Sequence, residues 1–234
     1  MKKIMSYWFA MIVFNTAFTQ DSSKVIVNAV KQNEQELANK MYKYPQFLPG
    51  KAFFKTGSFT ESTFNYSYLT NKVLFINPKG DTLELAHGEN FSELVIGVDT
   101  FCYYQQQFLQ QLTHYPFYNL FLKRLLQYNG TEKKGAYGSY SSTSAIRSYN
   151  HLTVNEGSIV TKLTPDENMI YVFNDNYFFS DRFGRLYPAT KKGVHELFGK
   201  NEKELRAFLE SNKINLNKKE DLYKVLDFAL TISQ

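Results

Sequence analysis

The sequence predicts an α+β protein that is mainly β: an antiparallel meander or barrel-like sheet with a C-terminal helical pair. Three observations carry this. The 234 residues include 17 Tyr and 21 Phe, and aromatic side chains favour pleated, half-buried surfaces. From Lys51 to Tyr128, short aromatic and β-branched runs alternate with turn residues. From residue 190 onward, apolar stripes at helical spacing follow polar caps. Hydrophobic residues make up 43% and charged residues 21%, ordinary globular usage that excludes a disordered chain.

Residues 1–19 read as a secretory signal peptide. Lys2 and Lys3 form the positive start, Ile4 to Phe18 is mostly apolar, and Ala17-Phe18-Thr19 offers the cleavage signal. A membrane anchor is the competing reading. The apolar stretch is shorter than the ~20 residues that span a bilayer, and Asn15 interrupts it. The mature chain, starting at Gln20 or Asp21, then has no transmembrane segment and is periplasmic or secreted. Of 27 basic residues two fall in the leader, against 22 acidic ones, so the remaining charge is weakly positive and does not favour nucleic acid. The densest basic group is Arg182, Arg185, Lys191, Lys192, Lys200, Lys203 and Arg206. It reads as a solvated surface, with contact to anionic lipid or glycan as the minority reading.

Residues 20–44 form an N-terminal segment. Ile26, Ala29, Val30, Leu37 and Met41 fall near helical spacing, while Val25-Ile26-Val27 equally suits a strand. Pro45 and Pro49-Gly50 are expected to close it. Residues 45–128 are the β-meander. Its clearest hairpin is Lys72–Ile76, the turn Asn77-Pro78-Lys79-Gly80-Asp81, and Thr82–Ala86, since Pro presets a turn φ and Gly supplies φ > 0. In 105–128 the pattern divides evenly between helix and strand, and meander logic favours strands. Residues 129–148 are rich in Gly and Ser and read as the main loop. Residues 149–189 are expected as a second β-region packed on the first, with Asn174-Asp175-Asn176 at a turn. In 190–234, Lys191–Phe198 forms a short helix, and Asn201 and Asn217 each sit three residues before a Glu as helix caps.

Chemistry-bearing motifs were sought in turn. The four histidines are dispersed, without metal-ligand spacing, so no metal site or cofactor is assigned. No Gly-x-Ser-x-Gly or Gly-rich phosphate loop occurs, and no catalytic residue is assigned. The single cysteine, Cys102, lies in an aromatic run and reads as a buried, inert thiol. Two regions are candidates for ligand or partner contact. One is the 135–147 loop with Tyr137, Tyr140 and Arg147. The other is the stripe Thr60, Ser62, Phe64, Tyr66 and Tyr68, of which Tyr66 and Tyr68 present polar tips. The stripe is weighed against a plain core role.

Tyr44-Pro45-Gln46-Phe47, Phe64-Asn65-Tyr66, Phe75 to Leu83 and Gly135-Ala136-Tyr137-Gly138 together resemble a family of uncharacterised exported proteins of Bacteroidota-type bacteria. The resemblance implies export, a β-rich body and strands across 108–128; it implies no activity and no catalytic residues. The function expected is a non-enzymatic binding or envelope-associated module whose partner is an envelope protein or glycan. An envelope hydrolase whose site assembles only in three dimensions is the alternative.

Overall fold

The computed structural model describes residues 24–28, 34–134, 140–142, 153–155, 158–160 and 167–232. The leader therefore lies outside the described residues, as do Tyr137 and Arg147.

The N-terminal segment is both strand and helix: β1 (Lys24–Asn28) and α1 (Glu34–Met41). The meander follows as β2 (Leu48–Phe54), β3 (Phe59–Ser67), β4 (Lys72–Ile76) and β5 (Thr82–Glu84). Beyond a short 3₁₀ turn at Gly88–Asn90 come β6 (Phe91–Ile96), β7 (Asp99–Tyr104), β8 (Gln107–Gln111) and β9 (Asn119–Lys134). Strand β10 (Tyr140–Ser142) returns along β9, and β11 (Thr153–Asn155) pairs with β12 (Ser158–Val160) as a separate ribbon. The chain then forms β13 (Glu167–Ser180), β14 (Leu186–Pro188), α2 (Lys191–Phe198), α3 (Glu202–Ser211) and α4 (Lys219–Ile232).

One antiparallel sheet runs in the order β1-β13-β9-β8-β7-β6-β2-β3-β4-β5, with β10 on β9 and β14 on β13. It curls without closing into a barrel. The hairpin expected at 77–81 forms as read. Asn77 O accepts from Gly80 N at 2.9 Å, Asn77 Oδ1 accepts from Lys79 N and Asp81 N at 2.9 Å, and Gly80 takes φ +90°. Residues 108–111 and 119–128 are strand, as meander logic favours.

Four local expectations change. Pro49-Gly50 lies inside β2 instead of breaking the chain. The backbone carbonyl of Val95 on β6 stands where a Gly50 Cβ would lie, with the Phe64 ring 2.8 Å from the same point, so only glycine fits this crossing. Residues 129–134, read as loop, continue β9 through a bulge at Asn129-Gly130, where the register opposite β13 skips and Gly130 takes φ +109°. Asn174-Asp175-Asn176 is no turn but the middle of β13, in register with Leu125, Arg124 and Lys123, so β13 joins β9 in one sheet. Asn201 makes no side-chain cap; its Nδ2 instead donates to Ile232 O at 2.9 Å, tying the start of α3 to the end of α4.

The register puts Leu120, Leu122, Arg124 and Leu126 of β9 on one face with Phe179, Tyr177, Asp175 and Phe173 of β13. Three apolar clusters lie along that face. At one side α2, α3 and α4 press Val194, Phe198, Leu205, Leu222, Val225 and Leu226 onto Leu120, Leu122, Tyr177 and Phe179. In the middle, β1 and α1 place Val25, Leu37 and Met41 against Leu126, Met169 and Tyr171. At the far side the meander packs on itself through Ala52, Phe64, Tyr66, Val73, Leu94, Ile96, Phe101 and Phe108.

Candidate functional site

Among the described residues, the helices roof the β9–β13 side. Over β2, β3, β4 and β6 the same face carries a groove of about 1020 Å³. Alternation builds its floor: the Gly50 crossing, Ser62 and Phe64 of β3, and Phe75 of β4 share a face by register. Phe54 and Phe91 form one wall as a tilted pair with centroids 4.7 Å apart; Phe64 and Phe75 form the other, 6.4 Å apart. Leu85 and Ile76 complete the apolar lining. Lys51 and Glu61, ion-paired at 2.7 Å, also line it. The Ser62 hydroxyl donates to Ile76 O at 3.0 Å, so its proton is held by a backbone carbonyl and not by a base. This is a surface for apolar and stacking contact with a few polar groups around it.

The predicted stripe is thus divided. Thr60 and Ser62 line the groove, and Phe64, only 1% exposed, backs it from the core. Tyr66 is core: it is buried, and Asn71 Nδ2 donates to its hydroxyl at 2.6 Å. Tyr68 is half-buried and stacks edge-on with Phe173 of β13 at 5.4 Å. Burial raises both hydroxyls above the ordinary tyrosine value, so neither ionises near neutrality. Tyr140 opens β10, its backbone in register with Lys134. Tyr137 and Arg147 lie outside the described residues. Phe54, Phe75 and Phe91 were not singled out by sequence. The signal present was their parity: each sits on the strand position that register turns toward the same face.

A second polar feature occupies the join between the two sides. β8 and β9 pair only at Gln110–Leu122 and Gln111–Phe121. The β3–β4 turn fills the gap beyond. Leu126 N donates to Tyr68 O at 2.9 Å, while Asn71 holds Phe108 by both backbone groups, accepting from its N at 2.9 Å and donating to its O at 3.3 Å. Arg124 grips Asp175 through Nε and Nη2 at 2.7 and 2.6 Å, and Tyr177 donates to the same carboxylate at 3.3 Å. Lys43 donates to Gln110 Oε1 at 3.0 Å and lies 3.4 Å from Asp99, which also accepts from Tyr44 at 2.7 Å and Gln110 at 2.8 Å. Hydrogen bonds to Asp175 raise the Arg124 pKa, burial lowers that of Lys43 against the pull of Asp99, and burial with Asp175 pushes Tyr177 to about 12. Every charge in this network has its partner. Its chemistry is that of two pins: Arg124 and Asp175 join β9 to β13, and Lys43, Tyr44, Asp99 and Gln110 join the 43–44 segment to β7 and β8.

Cys102 is half-buried, and burial pushes its thiol to about 12, far from the thiolate a nucleophile requires. Among the described residues no group of three or more His, Cys, Asp or Glu side chains is placed to hold a metal ion, and no helix is long and apolar enough to cross a membrane. Fold and groove define a class: a curled antiparallel sheet, half roofed by helices, with an aromatic recess on its open half. Against known proteins, the chain matches no family model, and no curated protein or solved structure is found similar to it.

Proposed function

We propose that this protein is an exported, non-enzymatic binding module of the cell envelope, and that the aromatic groove over β2–β4 and β6 receives an apolar or sugar-bearing group of an envelope protein or glycan. The observation that carries the reading is the groove itself: phenylalanine side chains on a recess that none of the described helices covers. Its size lies at the upper end of ordinary ligand pockets, and its lining is mostly apolar with a few polar groups. The leader pattern of residues 1–19 supports export.

A panel of oligosaccharides, peptides and acyl chains is screened by thermal shift. A ligand at about 100 times its Kd adds about 2.7 kcal/mol, which at about 2–4 °C per kcal/mol raises the midpoint by roughly 5–10 °C. Phe75→Ala removes that shift while the free protein still unfolds cooperatively. Turnover of a glycan, peptide or ester, lost on changing one groove residue, replaces this reading with the hydrolase. Export is checked separately: N-terminal sequencing of the envelope fraction is expected to start at Gln20 or Asp21.

A further inference from the structure

Five neighbouring strands, β6, β7, β8, β9 and β13, turn back on two rims. On one rim the chain reverses at Gly97-Val98 between β6 and β7, across 112–118 between β8 and β9, and across 181–185 between β13 and β14. Register places the three together: Ile96 faces Asp99, Thr100 faces Gln111, Gln111 faces Phe121, and Asn119 faces Ser180. Each turn ends in a large exposed apolar side chain: Val98 at 96%, Phe117 at 42% and Phe183 at 69%. Among the described residues, the opposite rim of β6, β7 and β8 is polar, with Gln105-Gln106 between β7 and β8 and the exposed Glu89 and Asn90 leading into β6. A lone exposed apolar residue means little, but three at successive tips of one rim form a surface.

The 181–185 tip is prearranged. Asp181 Oδ1 accepts from Phe183 N at 2.9 Å and Arg185 N at 3.0 Å, and its Oδ2 accepts from Arg185 Nε at 2.7 Å. Gly184, at φ +76°, closes the turn with its N donating to Asp181 O at 3.0 Å. The guanidinium carbons of Arg182 and Arg185 lie 4.7 and 5.6 Å from the Phe183 ring centroid. Asp181 is matched by Arg185, and Arg182 has no carboxylate partner among the described residues. The neighbouring 112–118 loop holds no Asp, Glu, Lys or Arg; the acid facing it is Asp227 of α4, which accepts from the Tyr115 hydroxyl at 3.4 Å.

Strands are spaced about 4.8 Å apart, so successive tips stand about 10 Å from one another and the three span about 20 Å. Separate tips of this kind lack the continuous packed centre of a protein interface. They suit a medium that closes around each side chain. Apolar and aromatic tips enter the headgroup–acyl boundary, and arginines beside them meet lipid phosphates. We propose that this rim docks the protein on the surface of an anionic phospholipid bilayer, with Val98, Phe117 and Phe183 entering the interface and Arg182 and Arg185 contacting phosphates. The rim is separate from the groove over β2–β4, and the proposal stands or falls independently of any groove ligand.

The test uses the full chain with Trp8, its single tryptophan, changed to Phe. One Trp is then placed at 98, 117 or 183, or at 83 as a control, since Leu83 is equally an exposed apolar side chain but lies on the outermost strand β5. Vesicles are phosphatidylcholine alone or with about one-third phosphatidylglycerol. With anionic vesicles, emission at 98, 117 and 183 shifts to the blue and is quenched by brominated acyl chains, while emission at 83 is not. Arg182→Gln, which removes no hydrogen bond of the turn, lowers the quenching affinity at 183 about fivefold, and added salt does the same. Absence of quenching at 183 overturns the proposal. So does equal quenching at 83, which would mean that the apolar leader and not the rim holds the chain to the lipid. Saturable capture of a protein by this rim without lipid quenching also overturns it.

Discussion

Two halves of one sheet carry the same kind of face and end differently. Over β9 and β13 the apolar face is roofed by three helices, and Leu222, Val225, Leu226 and Ala229 of α4 are wholly buried there. Over β2, β3, β4 and β6 no described helix roofs the face, which covers itself by curling, with Phe64 seated on Gly50 and a ring of aromatic contacts. The roofed half has its sheet face covered, and keeps a recess of about 890 Å³ only among the helices, between α2, α3 and residues 214–217. The open half retains the groove. The difference shows that α2–α4 match one stretch of the sheet, and that the aromatic excess of the sequence serves both packing and an exposed recess.

The largest effect is expected where the roof meets the sheet. Leu226→Ala opens a cavity in the closed half and costs about 2–5 kcal/mol, or roughly 5–15 °C in Tm. Phe75→Ala, in the wall of the open groove, costs less, about 1–2 kcal/mol, because the ring is already partly in water. Thermal unfolding of both variants checks the ordering. Equal losses would mean that the groove closes in solution.

Next comes the seam between the halves. Asn71→Ala leaves Phe108 N without its partner and Phe108 O with only the long bond from the Tyr66 hydroxyl at 3.5 Å, and puts a non-glycine, non-amide residue at φ 56°, at a cost of about 2–3 kcal/mol. Asn71→Gly restores the backbone share, about 1 kcal/mol, and none of the hydrogen bonds. Urea unfolding separates the two contributions. Arg124→Gln follows with about 1 kcal/mol, since the side chains of Arg124 and Asp175 are 39% and 23% exposed and water compensates part of the lost pair. Arg124→Lys recovers a fraction of it by keeping charge without the bidentate fork.

Much of the fold could be read from local signals because local physics dictates it. The 77–81 turn needs only its own Asn, Pro and Gly, and α2 needs only Thr190 as cap, whose side chain accepts from Gly193 N at 3.2 Å. What escaped depended on partners distant in sequence. Asn174-Asp175-Asn176 has the composition of a turn, and only Arg124, 51 residues earlier, makes it the middle of a strand. Pro49-Gly50 looks like a breaker until the Val95 carbonyl and the Phe64 ring occupy the space that glycine leaves. The stripe from Thr60 to Tyr68 shares one parity, yet curling leaves Thr60 and Ser62 on the groove, buries Phe64 and Tyr66, and sets Tyr68 half-buried against Phe173. That Val98, Phe117 and Phe183 share a rim is likewise invisible locally, because only the pairing of β6 to β9 and β13 brings their three turns side by side.

The smallest effect concerns that rim and its dependence on pH. Burial alone would raise the Asp181 pKa, but the hydrogen bonds from Arg185 and Phe183 outweigh it and hold the carboxylate below its ordinary value. A carboxylate lowered on folding adds stability at every pH above its unfolded value of about 4, and loses it as pH falls through the folded value. The turn is therefore firm at neutral pH and loosens only in acid. The contribution stays well under about 1 kcal/mol, because the turn is a surface feature and its ion pair is screened. Asp181→Asn keeps an oxygen for the two backbone N–H groups and removes the charge, so the variant should show a smaller drop in Tm between pH 6 and pH 3 than the parent. The wild-type carboxylate also offsets Arg185 at the tip. Removing it leaves one more net positive charge beside Phe183, so at neutral pH the same variant should bind anionic vesicles slightly tighter while being no more stable. A variant that lost stability and lipid affinity together would show that the order of the turn, and not its charge, governs the contact.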